Sequence, residues 1–138
     1  MLARREHSRL ELARKLARYT EDPAEIEQVL GDLERRGWLS ERRVVEQVAA
    51  SRRRRFGARR IVHELREKGI SEDAIGAALP QLKDSELAAA RAVWRRKFGA
   101  LPANARDKAR QIRFLQGRGF DPDVIRQLLK SDETADER

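Results

Sequence analysis

Three stretches of the chain obey one residue grammar: Leu33-Glu34-Arg35-Arg36-Gly37-Trp38-Leu39-Ser40, Leu65-Arg66-Glu67-Lys68-Gly69-Ile70-Ser71 and Leu115-Gln116-Gly117-Arg118-Gly119-Phe120-Asp121. Each reads as the stop of one helix fused to the start of the next. Glycine falls where the backbone must turn left-handed, a conformation in which a Cβ is costly. The residue after it (Trp38, Ile70 or Phe120) can pack back on the leucine five positions earlier. A cation (Arg36, Lys68 or Arg118) precedes the glycine, where the helix dipole favours positive charge. Ser40, Ser71 or Asp121 then caps the next helix, and Leu39, Ile70 or Phe120 can staple onto Val44, Ile75 or Ile125. Ile70 and Phe120 serve both helices. At the first junction an extra residue splits that duty between Trp38 and Leu39.

These signals, with abundant Ala, Leu, Arg and Glu and few β-branched residues, predict an all-α chain. The spacing predicts a first helix from about Leu2 to Tyr19, with Leu12, Leu16 and Tyr19 on one stripe. A second follows Asp22-Pro23 with Ile26, Val29, Leu30 and Leu33 inward, and a third carries Val44, Val45 and Val48. The next buries Ile61 and Leu65. Ser71 caps another that ends near Pro80. A longer helix opened by Asp84 or Ser85 carries Leu87, Ala90, Trp94 and Phe98. Asn104 caps one with Ala105, Ala109, Ile112 and Leu115, and Asp121-Pro122 opens the last. Trp38 and Trp94 are expected in the core, not as stacking platforms for bases.

A second echo, Arg53-Arg54-Arg55-Phe56-Gly57 against Arg95-Arg96-Lys97-Phe98-Gly99, closes the repeating unit. That unit is helix, glycine turn, helix, linker, helix. The expected division is residues 1–57 for a first three-helix repeat, 58–99 for a second, 100–130 for a third and incomplete one, and 131–138 for an acidic, disordered tail. Units this small bury little alone, so neighbours should pack end to end.

The chain has 138 residues and no cysteine, which excludes a disulfide framework and thiolate chemistry. Only His7 and His63 could supply imidazole. No Ser-His-Asp spacing, phosphate-cradling glycine loop or helical His pair is present, so no catalytic residue, metal ligand or cofactor is expected. No apolar run reaches the roughly 18 residues a membrane helix needs, and the amino terminus lacks a signal-peptide core. The expectation is a cytoplasmic monomer without a membrane partner.

Several pieces resemble the RecX family, regulators of the RecA recombinase. They are LARREHSRLELARKL, VLGDLERRGWLSERRVVEQV, FGARRIVHELREKGI, ARAVWRRKFG and KARQIRFLQGRGFDPDVIRQLL. Together they cover nearly the whole chain apart from its tail. The resemblance implies tandem three-helix repeats forming an elongated, curved helical array. It implies binding to the RecA–DNA filament, block of filament extension, and suppressed strand exchange, ATP hydrolysis and co-protease activity. Where the family often carries an acidic pair and an aromatic, this chain has Ser40, Glu41, Arg42, Arg43 and Val44.

The formal net charge is +8, although the last eight residues are acidic. The arginines cluster. Arg52, Arg53, Arg54, Arg55, Arg59 and Arg60 flank Phe56-Gly57. Arg95, Arg96 and Lys97 end one helix, and Arg110 and Arg113 share another. Cations near helix ends explain part of this pattern. Four consecutive arginines on a helix would repel one another and outnumber their intrahelical partners. Such a block favours an external anion, either nucleic-acid phosphate or an acidic protein surface, and arginine suits bidentate pairing with both. These eleven residues are the candidate contacts to the RecA filament or to DNA within it. Alternatives are a basic helical nucleic-acid-binding protein with no recombinase target, and a scaffold for another acidic partner. A helix-turn-helix reading of residues 25–48 is possible, but cap and staple chemistry already explains that turn.

Overall fold

The computed structural model describes residues 5–136. Among them are eight α-helices and no strand: α1 (Arg9–Leu16), α2 (Pro23–Arg35), α3 (Glu41–Arg52), α4 (Ala58–Glu67), α5 (Glu72–Asp84), α6 (Glu86–Lys97), α7 (Ala105–Gly117) and α8 (Pro122–Asp136).

The glycine junctions form as their residues require. Gly37, Gly69 and Gly119 have φ of 77°, 77° and 86°. In each, the amide after the glycine reaches back to the leucine carbonyl, Trp38 to Leu33 at 2.9 Å, Ile70 to Leu65 at 3.0 Å and Phe120 to Leu115 at 3.2 Å. The glycine amides donate to Glu34, Arg66 and Gln116, completing the paired bonds of a Schellman stop. Ser40 and Ser71 accept from Arg43 and Ala74 amides, and Asp121 accepts from Asp123. Ile70 and Phe120 are buried.

Trp38 is not. It is 72% exposed, whereas Leu39 is buried. With two residues between glycine and cap, Leu39 alone takes the core position and Trp38 is turned outward. Two stripe residues are corrected in the same way. Tyr19 lies in the turn after α1 and is 86% exposed, and Val29 is exposed while its neighbour Leu30 is buried. Helix α1 is shorter than expected because Ser8 starts it, with a capping box formed with Glu11; residues 1–4 lie outside the described residues. Pro80 sits inside α5, which continues to Asp84. Helix α8 continues to Asp136, where a disordered tail was expected; no Gly or Pro interrupts the chain after Pro122. Residues 137 and 138 lie outside the described residues.

Among the described residues two separate cores are present. Val44, Val45, Val48, Ile61, Leu65, Ile70, Ile75 and Leu82 join α3, α4 and α5. Ala90, Val93, Trp94, Leu115, Phe120, Ile125, Leu128 and Leu129 join α6, α7 and α8. Packing therefore groups the helices one element away from the expected divisions at 57 and 99. The third unit is completed by α6 at its start, not by a helix after Leu129. The basic-Phe-Gly segments lie inside units, after the first helix of each. Their glycines differ in conformation: Gly99 has φ of 71°, while Gly57 is an extended N-cap with φ of −82°.

A pair of carboxylates confirms this register. Glu41 at the start of α3 accepts from the Ser71 amide at 2.7 Å and its hydroxyl at 2.9 Å. Glu86 at the start of α6 accepts from the Asp121 amide at 2.9 Å and is buried. In both units the first helix thus ties down the cap of the third. Trp94 donates to Gln111 at 2.8 Å, and Gln111 donates to the Ala100 carbonyl at 3.2 Å, so the buried amide is satisfied on both sides.

The units dock through their glycine turns. The Gly69 turn abuts Leu10 in the first turn of α1. The Gly119 turn abuts Gly57 and Arg60 at the start of α4. Gly57 and Arg59 amides donate to the Arg118 and Gly119 carbonyls at 2.8 and 3.2 Å. Helix α4 lacks a side-chain cap; the end of α7 supplies the acceptors instead. A Cβ on Gly57 would stand 2.3 Å from the Gly119 carbonyl oxygen, and one on Gly119 would stand 2.4 Å from Arg60 Cβ. Gly37, between units, has open space around it.

Gly37→Ala is expected to cost about 1–2 kcal/mol, the strain of a left-handed alanine. Gly119→Ala carries that strain plus a clash, so its urea midpoint should fall further; equal midpoints would contradict the docking. Glu11 supplies a pH test. Burial alone would raise its carboxyl, but the Ser8 amide, Arg5 and Lys68 outweigh burial and hold it at about 2, against an ordinary 4.5. The folded form therefore resists protonation more than the unfolded chain does. Its contribution is complete above about 4.5 and disappears as pH falls toward about 2. Glu11→Gln should flatten the stability profile in that window, as measured by urea unfolding at a series of pH values.

Candidate functional site

The four-arginine run is not one patch. Helix α3 stops at Arg52, and the chain turns through Arg53, Arg54 and Arg55. Arg52 pairs with Glu64 of α4 at 2.9 Å, a structural tie. Arg53 lies along the groove between α3 and α5, where its Nε is buried without a hydrogen-bond partner. Arg54 is exposed. Arg55 faces α6 and α7, beside Arg96, Lys97, Phe114 and Arg118. The mutual repulsion of consecutive cations is relieved because the helix ends among them.

The other candidates converge on that last side. Arg60 lies over the Phe56 ring, 4.6 Å from its centroid, and Arg118 lies 5.3 Å from the same ring. Arg118 is also 5.3 Å from the Phe114 centroid, as is the Lys97 ammonium. Phe114 meets Phe98 edge-on at 5.5 Å, and Arg110 lies over Phe98 at 5.1 Å. A continuous line of cations and rings therefore runs from the start of α4 to the middle of α7. It joins three clusters that are far apart in sequence. Arg59 makes a long contact with Asp121, 3.5 Å, and Arg110 pairs with Asp107 at 2.8 Å. Arg95 and Arg113 are exposed on α6 and α7, outside this line of contacts.

Sequence reasoning missed Arg118, Phe56 and Phe114. Arg118 was explained by the helix dipole alone, and Lys68 was explained in the same way. Both also reach the preceding unit: Lys68 meets Glu11 at 3.4 Å, and Arg118 donates to the Arg55 carbonyl at 3.4 Å. The signal that could have found Arg118 is that repeat equivalence.

Both histidines have ordinary partners. His7 contacts Lys15 at 3.1 Å, and burial together with Lys15 and Arg5 lowers its pKa. His63 is exposed and 3.2 Å from Glu67. Among the described residues no group of three or more His, Cys, Asp or Glu is placed to hold a metal, and no helix is long and apolar enough to cross a membrane.

The fold defines a class: tandem three-helix units with an exposed basic and aromatic band. Three family models match it in order: the first three-helix domain of RecX at residues 1–33, the second at 40–79 and the third at 84–129. Residues 40–79 and 84–129 cover most of the two packed units. Regulatory protein RecX of Leptothrix cholodnii is 57% identical over 129 residues, covering 94% of this chain and 82% of that protein. Regulatory protein RecX of Chromobacterium violaceum is 46% identical over 129 residues, covering 94% and 84%. A crystal structure of regulatory protein RecX superposes with a TM-score of 0.75 at 19% identity, covering 89% of this chain and 64% of that one. The chain belongs to the RecX family of regulatory proteins.

The geometry separates structural from free arginines. Arg52→Ala should cost roughly 0.5 kcal/mol, typical of an exposed ion pair. Arg54→Ala and Arg55→Ala should leave the thermal midpoint unchanged, since neither side chain has an ion-pair partner among the described residues. A large loss for Arg55→Ala in a thermal melt would make it structural.

Proposed function

We propose that this protein inhibits the RecA recombinase by binding along the RecA–DNA filament. Binding blocks filament extension and suppresses strand exchange, ATP hydrolysis and co-protease activity, and so restrains recombination, DNA repair and the SOS response in the cytoplasm. Family membership supports the regulator role. The observation that carries the filament reading is the basic and aromatic band crossing from one docked unit to the next. Each unit contributes modest charge-assisted contacts, and covalent linkage makes the sum strong through effective concentration. A rigid array bridging neighbouring protomers would obstruct the movements that turnover requires and the addition of new subunits. No step in this mechanism breaks a bond in a substrate, so the protein acts as a binder and not as an enzyme.

A second reading, a nucleic-acid-binding protein with no recombinase target, is favoured by one feature. Several band cations lack a carboxylate partner and remain available to phosphate directly. The two readings part in one assay. The inhibitor reading expects substoichiometric protein to slow ATP hydrolysis by preformed RecA filaments. Unchanged hydrolysis at every ratio, with steeply salt-dependent binding to naked DNA, would replace it with the second.

A further inference from the structure

Arg55, Arg96, Lys97 and Arg118 line one open cleft of about 220 Å³, with Val93 and Phe114 as its apolar wall. No carboxylate partners any of the four among the described residues. Four like charges around so small a volume repel one another, and something must hold them. Aromatic faces and a backbone carbonyl do so. Phe114 holds Lys97 and Arg118, Phe56 holds Arg118 from the other unit, and the Arg55 carbonyl accepts from Arg118. A ring attracts a cation through its quadrupole and leaves the net charge in place. A carboxylate would have cancelled it. The cleft is therefore built to orient cations while keeping their charge available.

We propose that this cleft is a phosphodiester site for single-stranded nucleic acid, complete only when the third unit is docked on the second. It deepens the reading above by assigning the strand contact to one place. Arginine forks match phosphate oxygens, and lysine supplies a compact point charge. The cations continue on one side through Arg60 over Phe56, while on the other Arg110 over Phe98 is already paired with Asp107. Such a line suits a polymer with one charge per nucleotide. Contacts to phosphate carry no sequence information, so binding through this cleft is expected to be independent of sequence. Arg55 comes from the second unit, and the other three cations come from the third. Their convergence depends on the amide bonds from Gly57 and Arg59 to Arg118 and Gly119, where neither glycine has room for a Cβ. A bound strand and the docked joint therefore stabilise each other.

The test is fluorescence anisotropy of a labelled oligothymidylate with the full chain across a range of salt. Replacing Arg96→Gln and Lys97→Gln together, on the exposed face of α6, should weaken binding about tenfold and lower the log–log salt slope by about 1.4. Removing the same charge outside the cleft, with Arg35→Gln and Arg36→Gln, should weaken binding less. Gly57→Val should lose affinity with helicity retained; if it unfolds, the α6 pair still decides the matter. Affinity in the α6 pair equal to that of the unaltered chain would overturn the site. So would an oligoglutamate that binds this cleft while the oligothymidylate does not, which would point to an acidic protein surface. The assay contains no recombinase, so its failure is distinct from failure of the inhibitor reading.

Discussion

The structure depends on one backbone contact: the carbonyls that end α7 meet the amides that start α4, with a glycine on each side. A helix leaves its first amides and last carbonyls without partners. Here the two sets satisfy each other across units, each bond contributing on the order of 1 kcal/mol net. The approach is possible because Gly57 and Gly119 carry no Cβ. The Gly69 turn also meets α1, there against the side chain of Leu10. In both cases a glycine turn that follows a unit's second helix touches the first turn of a helix in the unit before. Helix termination and unit assembly are thus one event.

Much of the fold was legible because stop and start signals are local. The Schellman bonds, the caps at Ser40, Ser71 and Asp121, and the burial of Ile70 and Phe120 follow from residues within a few positions of one another. What misled was equivalence. Gly37 has the same bonds as Gly69 and Gly119 but lies between units, and the extra residue before its cap leaves Trp38 exposed. The register of the repeat is set instead by Glu41 and Glu86, whose partners lie 30 and 35 residues away. Nothing in local sequence reveals such a pairing. Gln111 was hidden for the same reason: a polar residue between inward-facing positions reads as surface until Trp94 arrives from another helix.

The candidate site was legible only in part. Charge counting found Arg55, Arg60, Arg96, Lys97 and Arg110, which the fold gathers. It also found Arg52 and Arg53, which the fold assigns to its own packing. The difference lies in where α3 ends, and a single residue of helix length decides which way each arginine points. The turn motif accounts for Phe56 and Phe98 and leaves Phe114 unread, yet all three phenylalanines arrange the cations. An electrostatic surface in this chain is therefore a product of unit docking and not of composition alone.

Amide hydrogen exchange at Gly57 and Arg59 tests the central contact most directly. Those two groups lie at the start of a helix, where amides without partners exchange at nearly the rate of an unstructured chain. Docking of the α7 end predicts strong protection of both, lost together in Gly119→Ala while amides in the middle of α4 stay protected. Rapid exchange at Gly57 and Arg59 in the unaltered protein would show that the units are not joined there, and the shared surface built across that joint would fall with it.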